Sequence, residues 1–155
     1  MQEVSFSCKP FDALTVYELY DIMALRQEVF VVEQNCPYLD ADGKDVSSWH
    51  LMGRDTQGRL VAYARLLPPG VGYEAYASIG RVVSAPSVRR LGLGRLLMAH
   101  SMAWCTKVFG SKPIKISAQA YLKTFYESFG FHHTGEEYLE DGIPHIAMIY
   151  QGGQN

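Results

Sequence analysis

Residues 89–97, RRLGLGRLL, set two arginines and two closely spaced glycines between the strand-like IGRVVS and a helix-like segment that starts at Leu93. A chain that passes directly from a strand into a helix leaves the first helical N–H groups without partners, and the helix dipole adds about half a positive charge there. Such a helix end attracts phosphate. We therefore expect a fold in which a strand leads into a helix, with an anion-binding end at the junction.

The glycines and arginines of this junction indicate what approaches it. Gly92 and Gly94 lack the Cβ atoms that would keep a ligand from the backbone, and Arg89 and Arg90 supply charged donors to phosphoryl oxygens. The phosphate loop of nucleotide hydrolases is excluded, because neither glycine is followed by Lys-Ser or Lys-Thr. A dinucleotide-binding fingerprint needs glycine or alanine where Leu97 stands. A pyrophosphate in another setting fits the site.

Periodicity along the rest of the chain predicts the order β-α-β-β-β-α-β-α-β-β. Apolar residues at helical spacing predict one or two helices over 14–34, a helix over 93–109 and another over 120–130. Residues 35–48 are rich in Pro, Gly, Asp and Ser and indicate a loop. This order is typical of an α/β (α+β) fold, a mixed sheet with helices packed on it. No linker divides residues 1–155, so we expect a single domain.

Composition narrows the class of partner. The formal net charge is −2, from 14 basic and 16 acidic residues, so no basic field favours nucleic acid. No apolar run approaches the roughly 18 residues of a membrane span, and no signal-like segment begins the chain, so we expect a cytoplasmic protein without a membrane partner. The three cysteines lack CxxC spacing, which argues against a zinc site or a disulfide framework.

Two motifs carry a resemblance to a known family. Residues 89–94, read as R-x-x-G-x-G, resemble the acyl-coenzyme-A-binding motif of the GNAT superfamily of N-acetyltransferases. SAQAYLKTFYESFGF, residues 117–131, resembles the second signature of that superfamily, with Phe125, Tyr126 and Gly130 in register. Gln119 and Leu122 depart from the general pattern, but they are similar to the ElaA-like subgroup, as are LRQEVFVVEQNCPY and YLEDGIPHI.

The resemblance implies a GNAT fold of about seven strands and about four helices, in which a splayed strand pair holds the coenzyme. It implies acetyl-CoA as co-substrate, with the pantetheine arm beside the backbone of Val82, Val83 and Ser84 and approached by Gln119 and Tyr126 from the other side. Gly80 is compatible with a bulge in the same strand. The residues implied to hold the pyrophosphate are Arg89, Arg90, Leu91, Gly92, Leu93, Gly94 and Arg95.

The implied chemistry is direct attack of a neutral amine on the thioester in a ternary complex. The backbone N–H of Val82 or Val83 is the expected oxyanion donor. Tyr126, with an ordinary pKa of about 10, is the expected acid for the departing thiolate, its alternative role being to pack under the coenzyme.

The general base stays open in the sequence. Many GNAT enzymes place a glutamate on the strand before the glycine loop, where this chain has Ser78 and Arg81 instead. His145 is interpreted as an interior or cleft histidine, and water is a further alternative to the side-chain candidates. Those candidates are Glu33, Asp40, Asp42, Asp45, His50 and Glu74.

The acidic loop YLDADGKDVSSWH allows two further hypotheses. Its start resembles a calcium loop, but Lys44 stands where a ligand oxygen is needed and no glutamate follows at position 12, so no metal is expected. Its three aspartates are predicted to draw a cationic amine toward the acceptor side, the alternative being an ordinary surface loop.

Two functions remain. The first is an acetyl-CoA-dependent N-acetyltransferase acting on a primary amine, in a small molecule or a peptide. The second is a non-catalytic acyl-CoA-binding sensor, which the missing glutamate favours. A homodimer is compatible with either.

Overall fold

The computed structural model describes residues 3–89 and 91–152. Seven β-strands form within this described part, in the places that the sequence periodicity predicts. They are β1 (Ser5–Pro10), β2 (Trp49–Arg54), β3 (Leu60–Leu67), β4 (Ser78–Ser84), β5 (Ile114–Gln119), β6 (His132–Glu140) and β7 (Ile143–Tyr150).

Three α-helices form in the same described ranges: α1 (Val16–Arg26), α2 (Leu93–Phe109) and α3 (Lys123–Glu127). A capping box starts α1, since Thr15 Oγ1 accepts from the N–H of Glu18 while the Glu18 carboxylate accepts from the N–H of Thr15. The prediction of about four helices requires that the segment after Thr15 form two separate helices. The segment is instead one continuous helix, which widens into a π-helical segment over Gln27–Glu33.

The strands form two antiparallel sheets. One has the order β1-β2-β3-β4 and the other the order β5-β7-β6. They meet where the parallel neighbours β4 and β5 begin, at a bridge between Ala77 and Ile114 in which the N–H of Lys115 donates to the carbonyl of Ala77 at 2.9 Å. Beyond that bridge β4 and β5 separate. The facing edges then present unpaired backbone groups, as the expected splayed pair requires.

A bulge interrupts β4 just before this opening. Tyr63 of β3 pairs with Val83 and Arg65 pairs with Gly80, so Arg81 and Val82 together oppose one residue of β3. Arg81 takes a left-handed backbone conformation, with φ of 51°. The bulge therefore lies one residue beyond Gly80, and it turns the backbone of Arg81 and Val82 out of the regular ladder.

The core lies between the sheets and the helices. Ile22 and Leu25 of α1 and Leu97 and Met98 of α2 are buried against the first sheet. Phe131, which follows α3, is fully buried against the second. Within the described ranges, no helix combines the length and the apolar character needed to cross a bilayer.

Candidate active site

The separation of β4 from β5 opens a cleft of about 680 Å³. Its walls are the bulged half of β4, the end of β5, the first turn of α2, the aromatic face of α3 and the hairpin between β6 and β7. Residues from the π-helical segment and the following loop close one side, among them Phe30, Cys36 and Tyr38.

The first turn of α2 meets the cleft with an uncapped end. Gly92 precedes the helix with φ of 77°, a conformation that favours glycine, and no side chain of the described residues caps the N-terminus. The N–H of Leu96 makes the helical bond to the carbonyl of Gly92, so the N–H groups of Leu93, Gly94 and Arg95 precede the helical ladder. Among residues 3–89 and 91–152, a Cβ added at Gly92 or Gly94 meets no atom within 4 Å. The backbone is thus open to a ligand in the cleft.

Most of the residues predicted for coenzyme binding border this cleft. They are Val82, Val83, Ser84, Arg89, Gly92, Leu93, Gly94, Arg95, Gln119 and Tyr126. Leu91 does not line it and is instead 48% exposed beside an adjacent apolar groove. Arg90 lies outside the described residues.

The two described arginines of the loop have partners. Arg89 makes a bidentate pair with Glu33, each N···O distance being 2.6 Å. Because this ion pair is exposed to solvent, it contributes little to stability. A ligand with two negative charges can therefore displace Glu33 from Arg89. Arg95 donates to Ser128 Oγ and stacks over the Phe129 ring, its guanidinium carbon lying 4.8 Å from the ring centre.

Tyr126 stands at the inner wall of the cleft. Its ring makes edge contacts with Phe125 and Phe131. Burial, and to a smaller extent the neighbouring Tyr121, raise the pKa of the Tyr126 phenol above its usual value of 10.0. The phenol therefore keeps its proton throughout the neutral range.

The acidic loop is held by arginines rather than presented to the cleft. Arg26 is fully buried, and its Nε donates to Asp40 at 2.7 Å while its Nη1 donates to Asp45 at 2.8 Å. Arg65 joins Asp42 and Asp45 at 2.8 and 2.9 Å, and Arg81 donates to Asp40 at 2.7 Å. The prediction that this loop creates a negative potential is therefore wrong, because three guanidinium groups neutralise its three carboxylates.

This network also explains the bulge residue. The left-handed conformation of Arg81 costs about 1 kcal/mol or more. The two contacts from its guanidinium to Asp40, one to the carboxylate and one to the backbone carbonyl, hold it there. Arg81, one of the two residues near the position where many GNAT enzymes have a glutamate, is thus a structural cation.

Acid should weaken the network. Burial by itself raises the pKa of Asp42, but bonds from Arg65 and from the N–H of Lys44 outweigh it and lower the pKa from 3.8 to about 2. Such a carboxyl stabilises the fold fully above its unfolded value, and the contribution is lost as pH falls through the folded value. We expect the free energy of unfolding to fall between about pH 4 and about pH 2.

Urea denaturation at a series of pH values measures this dependence. Asp42→Asn should flatten the acid decline, whereas the same change at the exposed Asp12 should leave it unaltered. An equal decline in the wild type and in Asp42→Asn would contradict the assignment.

The other predicted bases also have structural partners or lie elsewhere. His50 is fully buried, with Nε2 2.9 Å from the carbonyl of Asp45 and Nδ1 2.7 Å from Tyr63 Oη. Burial lowers the pKa of His50, so it stays neutral inside the fold. Glu33 is the partner of Arg89, and Glu74 is exposed away from the cleft walls.

Sequence reasoning missed two acidic residues that border the cleft. Glu140 and Asp141, at the β6–β7 hairpin, line it together with His145 of β7, which the sequence left as an interior or cleft histidine. The only local signal was the turn EDG beside the alternating IPHI, which predicts a hairpin but not what the hairpin faces.

The chain is similar in sequence to known proteins. Residues 40–151 match the family model described as an acetyltransferase (GNAT) domain. Protein ElaA of Escherichia coli (strain K12) is 45% identical over 137 residues, which cover 87% of this chain and 88% of that protein.

Solved structures are similar over nearly the whole chain. A crystal structure of an acyl-CoA N-acyltransferase from Pseudomonas aeruginosa superposes with a TM-score of 0.89 at 44% identity, covering 95% of this chain and 99% of that one. The crystal structure of Escherichia coli ElaA superposes with a TM-score of 0.87 at 40% identity, with the same coverage of 95% and 99%.

Proposed function

This chain belongs to the GNAT acetyltransferase family, in its ElaA-like group, and we propose that it transfers the acetyl group of acetyl-CoA to a primary amine. The acceptor is a small molecule or a peptide. The observation that carries the proposal is the uncapped, glycine-lined N-terminus of α2, which opens into the cleft between β4 and β5. A helix end of this kind favours an anion such as the pyrophosphate of coenzyme A.

In this proposal the donor lies along the cleft. The N–H groups at the start of α2 bind the pyrophosphate, while Arg95 and, once freed from Glu33, Arg89 add charged hydrogen bonds. Arg90 lies outside the described residues, and we include it in the pyrophosphate site only because it belongs to the sequence motif. The pantetheine arm follows the free edge of β4, with Gln119 and Tyr126 across from it.

The reaction is direct attack by the amine in a ternary complex. The nitrogen attacks the thioester carbon, and negative charge develops on the carbonyl oxygen. The backbone N–H of Val82 or Val83, next to the bulge, donates to that oxygen, and a preorganised donor of this kind is a large contribution to catalysis. Tyr126 then supplies a proton to the leaving thiolate.

Release of free thiol from acetyl-CoA, with a broad panel of amines, tests the function. Turnover that depends on the amine supports a transferase. Binding of acetyl-CoA without thiol release for any amine would instead favour the sensor. The sensor is the second candidate because Arg81, near the usual position of the glutamate, has a structural role.

Gly94→Val tests the donor site. Valine is no worse than glycine inside a helix, and Gly94 has no positive φ, so α2 should persist. Its side chain would fill the space where phosphate approaches, and each lost charge-assisted hydrogen bond contributes about 1.5–3 kcal/mol. We expect the Kd for acetyl-CoA, measured by calorimetry, to rise about 10- to 100-fold.

Gly94→Ala is the graded control, with a smaller rise in Kd. Gly92 is less suitable, because its φ of 77° would strain any side chain and confuse folding with binding. An unchanged Kd in a folded Gly94→Val protein would exclude pyrophosphate binding at this helix end.

A further inference from the structure

We propose that His145 is the base that accepts the proton of the acceptor ammonium, and that the carboxylate of Glu140 binds the same ammonium beside it. This inference rests on the proposed N-acetyltransferase function and deepens it. It assigns the acceptor as a cationic amine that reaches the cleft from the β6–β7 hairpin.

The sheet places His145 across the cleft from the bulge. His145 of β7 pairs directly with Gln119 of β5, and paired residues of neighbouring strands share one face. Gln119 and His145 line the cleft on the β5 and β7 side, and Val82 lines it on the β4 side. His145 therefore borders the same cleft as the expected oxyanion donor.

The ring of His145 is oriented as a proton acceptor. Only 7% of the residue is exposed, and its Nδ1 lies 2.8 Å from the carbonyl oxygen of Ile143. A carbonyl oxygen only accepts, so Nδ1 carries the hydrogen and Nε2 carries the lone pair. Within residues 3–89 and 91–152, Nε2 has no hydrogen-bond partner. A buried imidazole with an unused acceptor nitrogen borders the cleft.

Glu140 is held beside that nitrogen. Tyr138 Oη donates to Ser117 Oγ at 2.5 Å, and Ser117 Oγ donates to Glu140 Oε1 at 3.2 Å. The second carboxylate oxygen, Oε2, lies 3.8 Å from His145 Nε2. That separation is too long for a hydrogen bond between them, but a nitrogen atom can approach both.

The hairpin turn fixes the position of this carboxylate. Asp141 and Gly142 have φ of 52° and 78°, as a two-residue type I′ turn requires, and Asp-Gly is a favoured sequence for it. Asp141 adds a second negative charge at the same rim of the cleft. The hairpin is thus acidic, whereas the α2 end of the cleft carries the arginines.

The proton balance is simple. An alkylammonium transfers one proton to His145 Nε2, and the neutral nitrogen forms its bond to the acetyl carbon. The C–S bond breaks, its electron pair leaves with sulfur, and sulfur gains a proton. The nitrogen loses a second proton on becoming an amide, so one proton ends on the thiol and one passes to solvent.

His145→Asn tests the base. Asparagine keeps a donor for the carbonyl of Ile143 but has no basic nitrogen. An alkylamine has a pKa of about 10.4, so it is almost wholly charged at about pH 7 and needs a base. We expect kcat/KM for an alkylamine to fall about 100-fold or more. An arylamine, already neutral at that pH, should lose less than about fivefold, and a purely structural defect would reduce both equally.

Glu140→Gln tests the ammonium contact. It should raise the KM of the alkylamine about tenfold, while the Kd for acetyl-CoA stays unchanged.

His132→Asn is the matched control for His145→Asn. His132 lies on the exposed face of β6, so this variant should behave as the wild type.

The outcomes separate the two levels of the proposal. A wild-type protein that releases no thiol with any amine overturns the proposed function and the role of His145 with it. A wild type that turns over, together with a His145→Asn variant within about threefold of it or impaired equally with both amines, overturns the base assignment alone. Addition of imidazole to His145→Ala should restore part of the alkylamine rate, and a lack of any rescue would also count against the assignment.

Discussion

Arg26→Leu is expected to lower the free energy of unfolding by about 3–5 kcal/mol, because it leaves buried carboxylates without their main partner. Arg26 is fully buried and bonds to the carboxylates of Asp40 and Asp45, and its guanidinium carbon lies 5.7 Å from the centre of the Tyr63 ring. Arg65 and Arg81 compensate only in part. Since a domain of this size has a total stability of about 5–15 kcal/mol, the loss is a large fraction of the whole.

Chemical denaturation of the wild type and the variant measures this effect. The matched control is Arg54→Leu, because Arg54 pairs with Asp21 at 3.2 Å on the surface, where an ion pair contributes about 0–1 kcal/mol. A triple variant that combines Arg26→Leu with Asp40→Asn and Asp45→Asn should recover part of the loss. Equal destabilisation by Arg26→Leu and Arg54→Leu would refute the structural role assigned to the buried network.

Tyr126→Phe is expected to lower kcat about 100-fold, at the lower end of the range for general acid catalysis, while leaving the Kd for acetyl-CoA nearly unchanged. The substitution keeps the ring and its contacts with Phe125 and Phe131 and removes the proton. Water that replaces the hydroxyl should supply part of the lost rate.

Burial acts in the same direction on the donor and on the acceptor of this proton. It raises the pKa of the Tyr126 phenol, which makes it a weaker acid. Burial likewise raises the pKa of a thiol, as it does for Cys8. Enclosing the leaving thiolate in the cleft therefore makes it a stronger base while the phenol becomes a weaker acid.

Steady-state kinetics with one amine, together with calorimetry for acetyl-CoA, separate the possible roles of Tyr126. Tyr73→Phe is the control, since burial also raises the pKa of Tyr73, to about 12, and Tyr73 lies outside the cleft. A kcat within about threefold of the wild type would mean that Tyr126 only packs. A Kd that worsens as much as kcat falls would mean that its hydroxyl is a binding group.

Local signals in the sequence predicted the elements well. The order of strands and helices follows from periodicity, and α2 runs over Leu93–Phe109 as its apolar spacing predicts. The Asp-Gly pair after Glu140 predicted the last hairpin, because few dipeptides tolerate two positive φ angles in succession. Such features depend on neighbours within a few residues.

The charged residues show where sequence reasoning fails. Asp40, Asp42 and Asp45 form an uncompensated acidic loop when read along the chain, but the arginines that neutralise them come from α1, β3 and β4. His145 was interpreted only as an interior or cleft histidine, because nothing beside it in the sequence shows that its Nε2 lies near the Glu140 carboxylate.

By itself, the sequence determined the fold of this protein and the open helix end at which we propose that the donor binds. A strand, two glycines and a helix follow one another directly in the chain, and that order is enough to specify an exposed helix end. Only the tertiary structure decided which charges are free to act. Arg81 and Asp40 are 41 positions apart, yet they lie 2.7 Å from each other and cancel. Because electrostatic interaction depends on distance in space and on burial rather than on separation along the chain, the charges that border the cleft can be identified only once the two sheets are brought together.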